Sequence, residues 1–422
     1  MIKYQLFPYR YRVLILLFFF TLITYLDRTS ISLVGIRIKN EFRLNNEEFG
    51  WVLGAFALAY ALFEIPSGIL GDRIGQRSLF IRIVLWWSLF TALTGLATGL
   101  TSLICLRFLF GMGESGAYPT CSSVIARWFP IKEIARGTSV LTMGSTTGAA
   151  LAPLLVIPIA AAWGWRFTFF VNGVLGIIWV LVCLLWFRNF PSEMHNISKA
   201  EQSLIEKDRR FKNKHRHIGW NQVIKNPTIW ALSGMFFCSQ CMNYFFIAWM
   251  PIYLQEGRQF SEGQMKMTTS AVFIGGFLGA IAAGFTSDWL VAKKGLIYAR
   301  RLVGSGSFAL MGVLIFITAI TVHNNIAVTC LIIAYFFYLP SVISSFSTCV
   351  DIGGENTGTI TGVMNFFGQL GSFCLAIFFG RMAHISHGFK TPLFALSGVL
   401  LIGGLLWLII NPTTSVSTET SR

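Results

Sequence analysis

The sequence predicts an all-α integral membrane protein in which twelve transmembrane helices form two six-helix bundles around a central cavity. Two features of the composition indicate this class: 54% of the 422 residues are hydrophobic and only 12% are charged, about half of the ~25% that is usual in soluble domains. Apolar segments of about 20 residues, the length that crosses the hydrocarbon core of a bilayer, also recur along the chain. We therefore expect bundles at residues 1–187 and 228–410, a linker at 188–227 and a tail at 411–422.

The apolar segments fall into two groups of six. In the first half they lie near residues 13–36, 50–71, 79–99, 102–125, 137–160 and 166–187. In the second half they lie near residues 228–254, 264–287, 302–322, 326–350, 357–383 and 391–410. The equal division indicates an internal duplication. In support of it, Gly68-x-x-x-Asp72 after the second segment has a counterpart in Gly284-x-x-x-Asp288 after the eighth.

The net charge of +15 is compatible with nucleic-acid binding, but its distribution favours a membrane protein. Lys and Arg gather in the short connections that alternate along the chain, as the positive-inside rule describes. Both termini are therefore expected in the cytoplasm, and no nucleic-acid partner is expected. Ser198 is expected to cap an amphipathic linker helix with Glu201 in its first turn. The basic run that follows is either a solvated face or a contact with anionic lipid.

The fourth segment contains RFLFGMGESGAYP, which carries two opposite charges at membrane depth. Arg107 and Glu114 are seven residues apart, so a helix projects both from nearly the same face. Ionisable groups in a membrane are costly unless they meet a partner or a wet cavity. We interpret this face as the lining of a polar cavity; the alternative is an internal ion pair that only fixes helix packing.

The remaining charges inside the apolar segments also lie in the first half. Asp27 and Arg28 are adjacent in the first segment, about 100° apart on a helix, so each needs its own surroundings. Glu64 lies in the second segment, where pairing with Arg82 or another neighbouring cation is the favoured interpretation. At the corresponding depth the second half offers only neutral polar groups, such as Ser341. Proton coupling is therefore expected in the first half, and recognition by hydroxyl and amide groups in the second.

Several separated motifs resemble those of a known family. The segment GILGDRIGQR, together with SDWLVAKK, resembles the repeated loop motif of the major facilitator superfamily. YLDRTSIS, RFLFGMGESGAYP, ISKAE, AWMPIYL and NFFGQLGS resemble, more narrowly, its anion:cation symporter family. That family includes bacterial sugar-acid/proton symporters and the animal sialic-acid and vesicular glutamate transporters. The resemblance covers nearly the whole chain and implies the major facilitator fold in a bacterial inner membrane.

The resemblance also implies roles for individual residues. Arg28 would contact a substrate carboxylate, Asp27 and Glu114 would handle protons, and Arg107 would pair with these acids. Tyr25, Tyr60, Ser341 and Asn365 match positions that line the sugar-acid pocket, although packing in the core is a rival interpretation for the two tyrosines. Two positions depart from the family pattern: Ser145 stands where hexonate carriers have glutamine, and Glu64 stands where relatives usually have glutamine.

These charges predict a mechanism. Arginines do not readily lose their protons, whereas carboxylates do. In the empty carrier Asp27 and Glu114 can neutralise Arg28 and Arg107, and an entering carboxylate competes for the guanidinium groups through bidentate hydrogen bonds. The displaced acid becomes a buried, unpaired charge and takes up a proton. Anion and proton are then carried together.

Three further residues lie at helix ends: Asp72, Arg73 and Asp288. We interpret them as gate latches that cap a neighbouring helix in one state and release it in the other. The alternative is that they only anchor the topology.

The predicted protein is thus a secondary active transporter that imports a small organic anion, a sugar acid or related carboxylate, by proton symport and as a monomer surrounded by lipid. No nucleophile–base set, metal cluster or nucleotide-binding loop is evident, so an enzyme, a metal and a cofactor are not expected. Cys238 and Cys241 form a lone CxxC inside an apolar segment and are taken as packing residues. The alternatives are an exporter or exchanger of the same fold, or a membrane sensor that does not transport.

Overall fold

The computed structural model describes residues 8–130, 133–194, 197–207, 226–353 and 357–413, which contain helices and connections and no β-strand. Within these ranges the side chains are not described for residues 65, 68–69, 71–73, 135, 199, 206–207, 284–288 and 291–292. The predicted class, an all-α membrane protein, is confirmed.

The first half of the chain forms nine α-helices within its described residues. These are α1 (Tyr9–Leu33), α2 (Gly35–Phe42), α3 (Asn46–Ile74), α4 (Gln76–Thr94), α5 (Leu100–Glu114), α6 (Ala117–Trp128), α7 (Ile134–Trp163), α8 (Trp165–Trp186) and, in the linker, α9 (Lys199–Lys207). The second half continues with α10 (Pro227–Gly257), α11 (Glu262–Lys294), α12 (Leu296–Ile320), α13 (Asn324–Gly353), α14 (Thr357–Ile385) and α15 (Lys390–Ile409).

Ten of the helices in the described residues are long and apolar enough to cross a membrane. Many of their large apolar side chains are exposed, as lipid-facing residues are; Leu185 and Leu405 are examples. The other two predicted segments correspond to α3, part of whose side chains are not described, and to the pair α5 and α6, each shorter than a span. The predicted order of segments along the chain therefore matches the order of the helices.

The fourth segment, near residues 102–125, is not one continuous helix; it is divided into α5 and α6. The chain turns at Ser115 and Gly116, directly after Glu114. Pro119 has no N–H to donate to the carbonyl of Ser115, so the regular hydrogen-bond ladder is interrupted here. The hydroxyl of Ser115 instead donates to the carbonyl of Met112 at 2.9 Å, a local bond that competes with helical geometry.

The seventh segment also departs from a regular α-helix. Helix α10 is π-helical over Phe245–Trp249 and again over Tyr253–Gly257. Pro251 lies between the two stretches and has no N–H to donate to the carbonyl of Ile247. The regular α-helical hydrogen-bond pattern is therefore interrupted at this point. Single π-helical turns occur frequently at functional sites.

The contacts divide the chain into two compact units. The first unit comprises Met1–Ser30 and Ala59–Lys214, and the second comprises Ile31–Leu58 and His215–Arg422, as far as these residues are described. Helices α1 and α3 therefore contribute residues to both units. The boundaries predicted from the sequence place residues 31–58 with the first bundle, whereas these residues pack with the helices of the second half.

Each unit packs its first span against its fifth through glycine. In the first unit a Cβ atom at Gly148 of α7 would lie 2.2 Å from the carbonyl oxygen of Leu22 in α1. In the second unit a Cβ atom at Gly371 of α14 would lie 2.3 Å from the carbonyl oxygen of Phe237 in α10. Glycine permits this close approach of two backbones. The matching pairs agree with the proposed internal duplication.

The linker helix α9 is joined to the beginning of α1. The hydroxyl of Ser198 accepts a hydrogen bond from the N–H of Glu201 at 3.1 Å, so the predicted cap is confirmed. The buried carboxylate of Glu201 accepts hydrogen bonds from the N–H groups of Tyr9 and Arg10 at 3.1 and 3.0 Å. These are first-turn amides that have no partner within their own helix. The linker carboxylate thus supplies the N-terminal cap of the first transmembrane helix.

Candidate functional site

Helix α1 carries several polar side chains whose hydrogen bonds are satisfied within the helix itself. The hydroxyl groups of Thr24, Thr29 and Ser30 each donate to the carbonyl four residues earlier, at 2.7 to 2.9 Å. Because these hydroxyl groups are hydrogen-bonded to the backbone, small polar residues can be buried in an apolar environment at a low cost in free energy. The polar stretch of α1 surrounds Asp27 and Arg28, both largely buried.

Arg28 and Glu114 form an ion pair within the first unit. The Nε atom of Arg28 donates to Oε1 of Glu114. The side chain of Glu114 is 0% exposed and that of Arg28 is 9% exposed. A buried pair of this kind is held by Coulomb attraction against a large desolvation cost, and either charge alone is strongly unfavourable there. The break after α5 places the carboxylate at the end of that helix, where it faces α1.

Two tyrosine rings flank the Arg28 guanidinium. Its Cζ atom lies 5.2 Å from the ring centroid of Tyr25 and 4.8 Å from that of Tyr60. Guanidinium groups at these distances are attracted to the electron-rich faces of aromatic rings. The tyrosines therefore hold the cation in place.

Arg107 and Asp27 form the second half of the charge cluster. Arg107 is buried, and its Cζ atom lies 4.5 Å from the ring centroid of Phe110. Its positive charge interacts electrostatically with both Asp27 and Glu114. Both carboxylate oxygens of Asp27 are buried, and neither accepts a hydrogen bond from any residue that the structure describes. The same proton-carrying role is expected from the sequence for Asp27 and Glu114, but their surroundings differ. Glu114 accepts a hydrogen bond from Arg28, whereas Asp27 accepts none from the described residues.

Of the two possibilities expected for Glu64, pairing with Arg82 or with another neighbouring cation, the structure does not show the first. Its side chain is buried, and Oε2 has no hydrogen-bond partner in the described part of the chain. Arg82 is exposed on α4, and the two side chains form no ion pair. The neighbouring cation that acts on Glu64 is Arg28 of α1. Glu64 therefore belongs to the surroundings of the charge cluster.

Ser145 is buried on α7, close to the same region. Its hydroxyl donates to backbone carbonyls of its own helix, those of Leu141 at 3.1 Å and Thr142 at 3.0 Å. Tyr118, at the start of α6, interacts with Ser145, Tyr25 and Arg28. The sequence reasoning did not assign Tyr118 a role, although this residue belongs to the motif RFLFGMGESGAYP. Its position depends on the break at Ser115 and Gly116, which the motif alone does not reveal.

The neutral residues proposed for substrate recognition belong to the second unit. Ser341 is fully buried in α13 and donates to the carbonyl of Tyr338 at 2.7 Å. Asn365 is partly exposed on α14. A pair that the sequence reasoning missed lies near Ser341: the hydroxyl of Tyr338 donates to Oε1 of Gln240 at 2.9 Å. This pair orients a phenol and an amide of the second unit without any charge.

The three proposed gate residues fall outside the described side chains. Asp72 and Arg73 lie in α3 and Asp288 lies in α11, where the backbone is helical but these side chains are not described. Their role stays a prediction. Among the described residues no three His, Cys, Asp or Glu side chains come close enough together to hold a metal ion.

Comparison with known proteins identifies the fold and the kind of activity. Residues 17–376 match the model of the Major Facilitator Superfamily. A solved structure of a bacterial homologue of the human lysosomal transporter Spinster superimposes with a TM-score of 0.77 at 20% identity, and the match covers 96% of this chain and 97% of that one. At this identity the likeness shows the shared fold.

The similar sequences are carriers of organic anions. The chain is 31% identical to the D-galactonate transporter of Escherichia coli over 95% of each chain. It is 30% identical to the probable sulfoacetate transporter SauU of Cupriavidus necator over 95% of this chain and 93% of the relative, and 31% identical to the hexuronate transporter of Bacillus subtilis over 84% and 83%. These relatives are transporters and not enzymes. The chain therefore belongs to the Major Facilitator Superfamily, among members that resemble the anion:cation symporters.

Proposed function

We propose that this protein imports a small organic anion, a sugar acid or a related carboxylate or sulfonate, together with a proton across a bacterial inner membrane. The buried ion pair between Arg28 and Glu114 carries the proposal. A guanidinium group recognises carboxylate and other oxyanions with two parallel hydrogen bonds. The relatives named for galactonate, hexuronate and sulfoacetate support the same chemical class of substrate.

Coupling follows from competition for one guanidinium. When the substrate anion binds Arg28, Glu114 loses its hydrogen-bond donor in a site from which water is excluded. A carboxylate in that position is more stable protonated than charged. Proton uptake at Glu114 therefore accompanies anion binding, and both are released together. Asp27, beside Arg107 and without a hydrogen-bond donor among the described residues, is the second proposed proton carrier.

Uptake into proteoliposomes tests the proposal. We expect radiolabelled galactonate, glucuronate or sulfoacetate to accumulate when the outside is acidic and the inside is alkaline. Dissipating the pH gradient with a protonophore should abolish accumulation, because the anion has no other source of free energy. Neutral sugars such as galactose serve as the matched control, since they share the hydroxyl groups but lack the negative charge. Accumulation of neutral sugars with no response to any anion would overturn the substrate class.

Alternating access is the proposed transport mechanism, and contacts of residues 31–58 within the second unit offer a place to test it. Residues of α1, α2 and α3 pack there against α10, α11 and α14. Arg37 pairs with Glu262 at 2.7 Å, and Lys39 pairs with Glu256. The hydrogen bonds that Arg37 donates to the carboxylate of Glu262 raise the pKa of Arg37 above its usual range. The contribution of the Arg37–Glu262 pair to the free energy of unfolding is therefore fully present at every pH below the usual pKa of arginine. It is lost only as the pH rises through the raised pKa of Arg37.

The same contacts are sterically tight. A Cβ atom at Gly380 of α14 would lie 2.4 Å from the carbonyl oxygen of Asn46. The hydroxyl of Tyr244 donates to the carbonyl of Leu53 at 2.6 Å. Alternating access requires such contacts to open in one state of the cycle.

A tryptophan wedge at Gly380 tests this requirement. We expect Gly380→Trp to hold the contact open, so that a Leu53→Cys reporter reacts with a membrane-impermeant maleimide, and uptake falls at least tenfold. The reporter is placed in a Cys105→Ser, Cys374→Ser background, since the other six native cysteines are buried. Gly306→Trp is the matched control, because a Cβ atom there meets nothing within 4 Å. Full uptake by the Gly380 variant, with an unreactive reporter, would argue against opening at this contact.

A further inference from the structure

The strongest unassigned feature is a groove at the junction of α11 and α12, beside the end of α15. Its volume is about 580 Å³, and its lining includes Lys294, Tyr298, Arg301, Leu302, Leu408 and Thr413. The chain turns sharply at Gly295, whose φ is +80°, and this turn lets the ends of two long helices meet. All of these residues belong to the second unit, whereas Arg28 and Glu114 belong to the first. We propose that this groove binds the phosphate group of one anionic phospholipid.

The charge of the groove favours a phosphate. Lys294 and Arg301 line it, and none of the lining residues that the structure describes is an aspartate or a glutamate. The neighbouring Arg300 is neutralised by Asp351 at 3.1 Å, but Arg301 forms no ion pair with any described residue. Its Nε atom donates to the carbonyl of Ile410 at 2.9 Å. This bond anchors the guanidinium at the end of α15 and leaves its remaining N–H donors for an anion.

The backbone adds to this positive potential. Helix α12 begins at Leu296 without a side-chain cap, and its first residues line the groove. The N–H groups of a first helical turn have no partner within the helix, and the helix dipole is positive at this end. A basic side chain on each side of a helix N-terminus is an arrangement suited to a phosphate oxygen.

The surrounding side chains place the groove at the membrane–water interface. Tyr298 is 51% exposed and Trp289 is 57% exposed. Lysine ammonium groups accompany both rings, Lys293 at 4.3 Å from the Trp289 centroid and Lys294 at 5.8 Å from that of Tyr298. Exposed aromatic and basic residues at the ends of transmembrane helices mark the level of the lipid headgroups.

Below this level the groove is apolar, which favours a lipid over a free anion. Leu302 and Leu408 line it and are 46% and 52% exposed. A free phosphate would use only the basic end, whereas a phospholipid also covers these leucines with its acyl chains. Basic pockets between transmembrane helices are suited to anionic headgroups for the same reason.

Lipid binding by the full-length protein tests the proposal. The protein is purified in detergent, phosphatidylglycerol is titrated, and the lipid-bound fraction is measured by native mass spectrometry. We expect one tightly bound phosphatidylglycerol in the wild type, and about tenfold weaker binding in the Lys294→Gln, Arg301→Gln variant. The Lys266→Gln, Lys390→Gln variant removes the same charge elsewhere and should bind as the wild type does. Lys294→Gln alone, at an exposed side chain, should show an intermediate loss and keeps the test valid if the double variant unfolds.

Two further measurements distinguish the sources of the phosphate. Phosphatidylcholine, which carries the same phosphate with no net charge, should bind more weakly than phosphatidylglycerol, and inorganic phosphate at the same concentration should not displace the lipid. Equal binding of the two lipids, or displacement by inorganic phosphate, would overturn the proposal. So would a Lys294→Gln, Arg301→Gln variant that binds phosphatidylglycerol as tightly as the control variant does.

Discussion

Replacing Arg28 with alanine is expected to abolish anion uptake and to destabilise the protein. The substitution removes the proposed substrate-binding cation and leaves the fully buried Glu114 without its ion-pair partner. Removing one member of a buried ion pair typically costs roughly 3–5 kcal/mol, because the remaining charge is neither solvated nor compensated. Uptake should fall below detection, a decrease of at least about 100-fold, which corresponds to about 2.7 kcal/mol at 1.36 kcal/mol per tenfold change.

A double substitution separates the two effects. In Arg28→Ala, Glu114→Gln the carboxylate that was paired with Arg28 is neutralised as well, so the midpoint of thermal unfolding should recover most of the loss seen in Arg28→Ala. Uptake should stay absent, because the guanidinium is still missing. Arg82→Ala is the matched control: this arginine lies exposed on α4, and its loss should change neither property greatly. Substantial uptake by the double variant would exclude Arg28 as the substrate-binding cation.

The substitution Glu114→Gln is expected to separate proton coupling from anion movement. Glutamine keeps the size and can still accept a hydrogen bond from Arg28, but it neither carries a negative charge nor takes up a proton. The guanidinium should therefore remain permanently available to the anion. We expect proton-driven accumulation to fall at least about 100-fold, the lower end of the contribution of one positioned acid or base group, while exchange of internal for external anion continues.

Two assays on the same proteoliposomes measure these properties: uptake driven by a pH gradient, and counterflow at equal pH. Glu64→Gln is the matched control, because it removes a second buried carboxylate from the same cluster at a position where the related symporters usually have glutamine. That variant should retain both activities. Undiminished proton-driven accumulation by Glu114→Gln would reject Glu114 as the coupling group. Asp27 would then be the remaining proposed proton carrier.

Much of this architecture follows from the sequence because hydrophobic length is a local property. Segments of about 20 apolar residues must form helices in a bilayer, where each backbone N–H and C=O group needs an internal partner. The cost of a buried charge is also local, so Asp27, Arg28, Arg107 and Glu114 stand out within their segments without any knowledge of the fold. The family motifs add the kind of substrate, which the matching relatives support.

Only the tertiary structure decides how those charges are paired. Which acid meets Arg28 depends on the rotation of α1 relative to α5, and this rotation is set by distant contacts such as the glycine of α7 against the backbone of α1. The turn at Ser115 and Gly116, the proximity of Tyr118 to Arg28, and the absence of an ion pair between Glu64 and Arg82 all arise from such packing. The sequence determines that the charges must find partners inside the membrane. The fold determines the partners, because a side chain's neighbours come from helices far away along the chain.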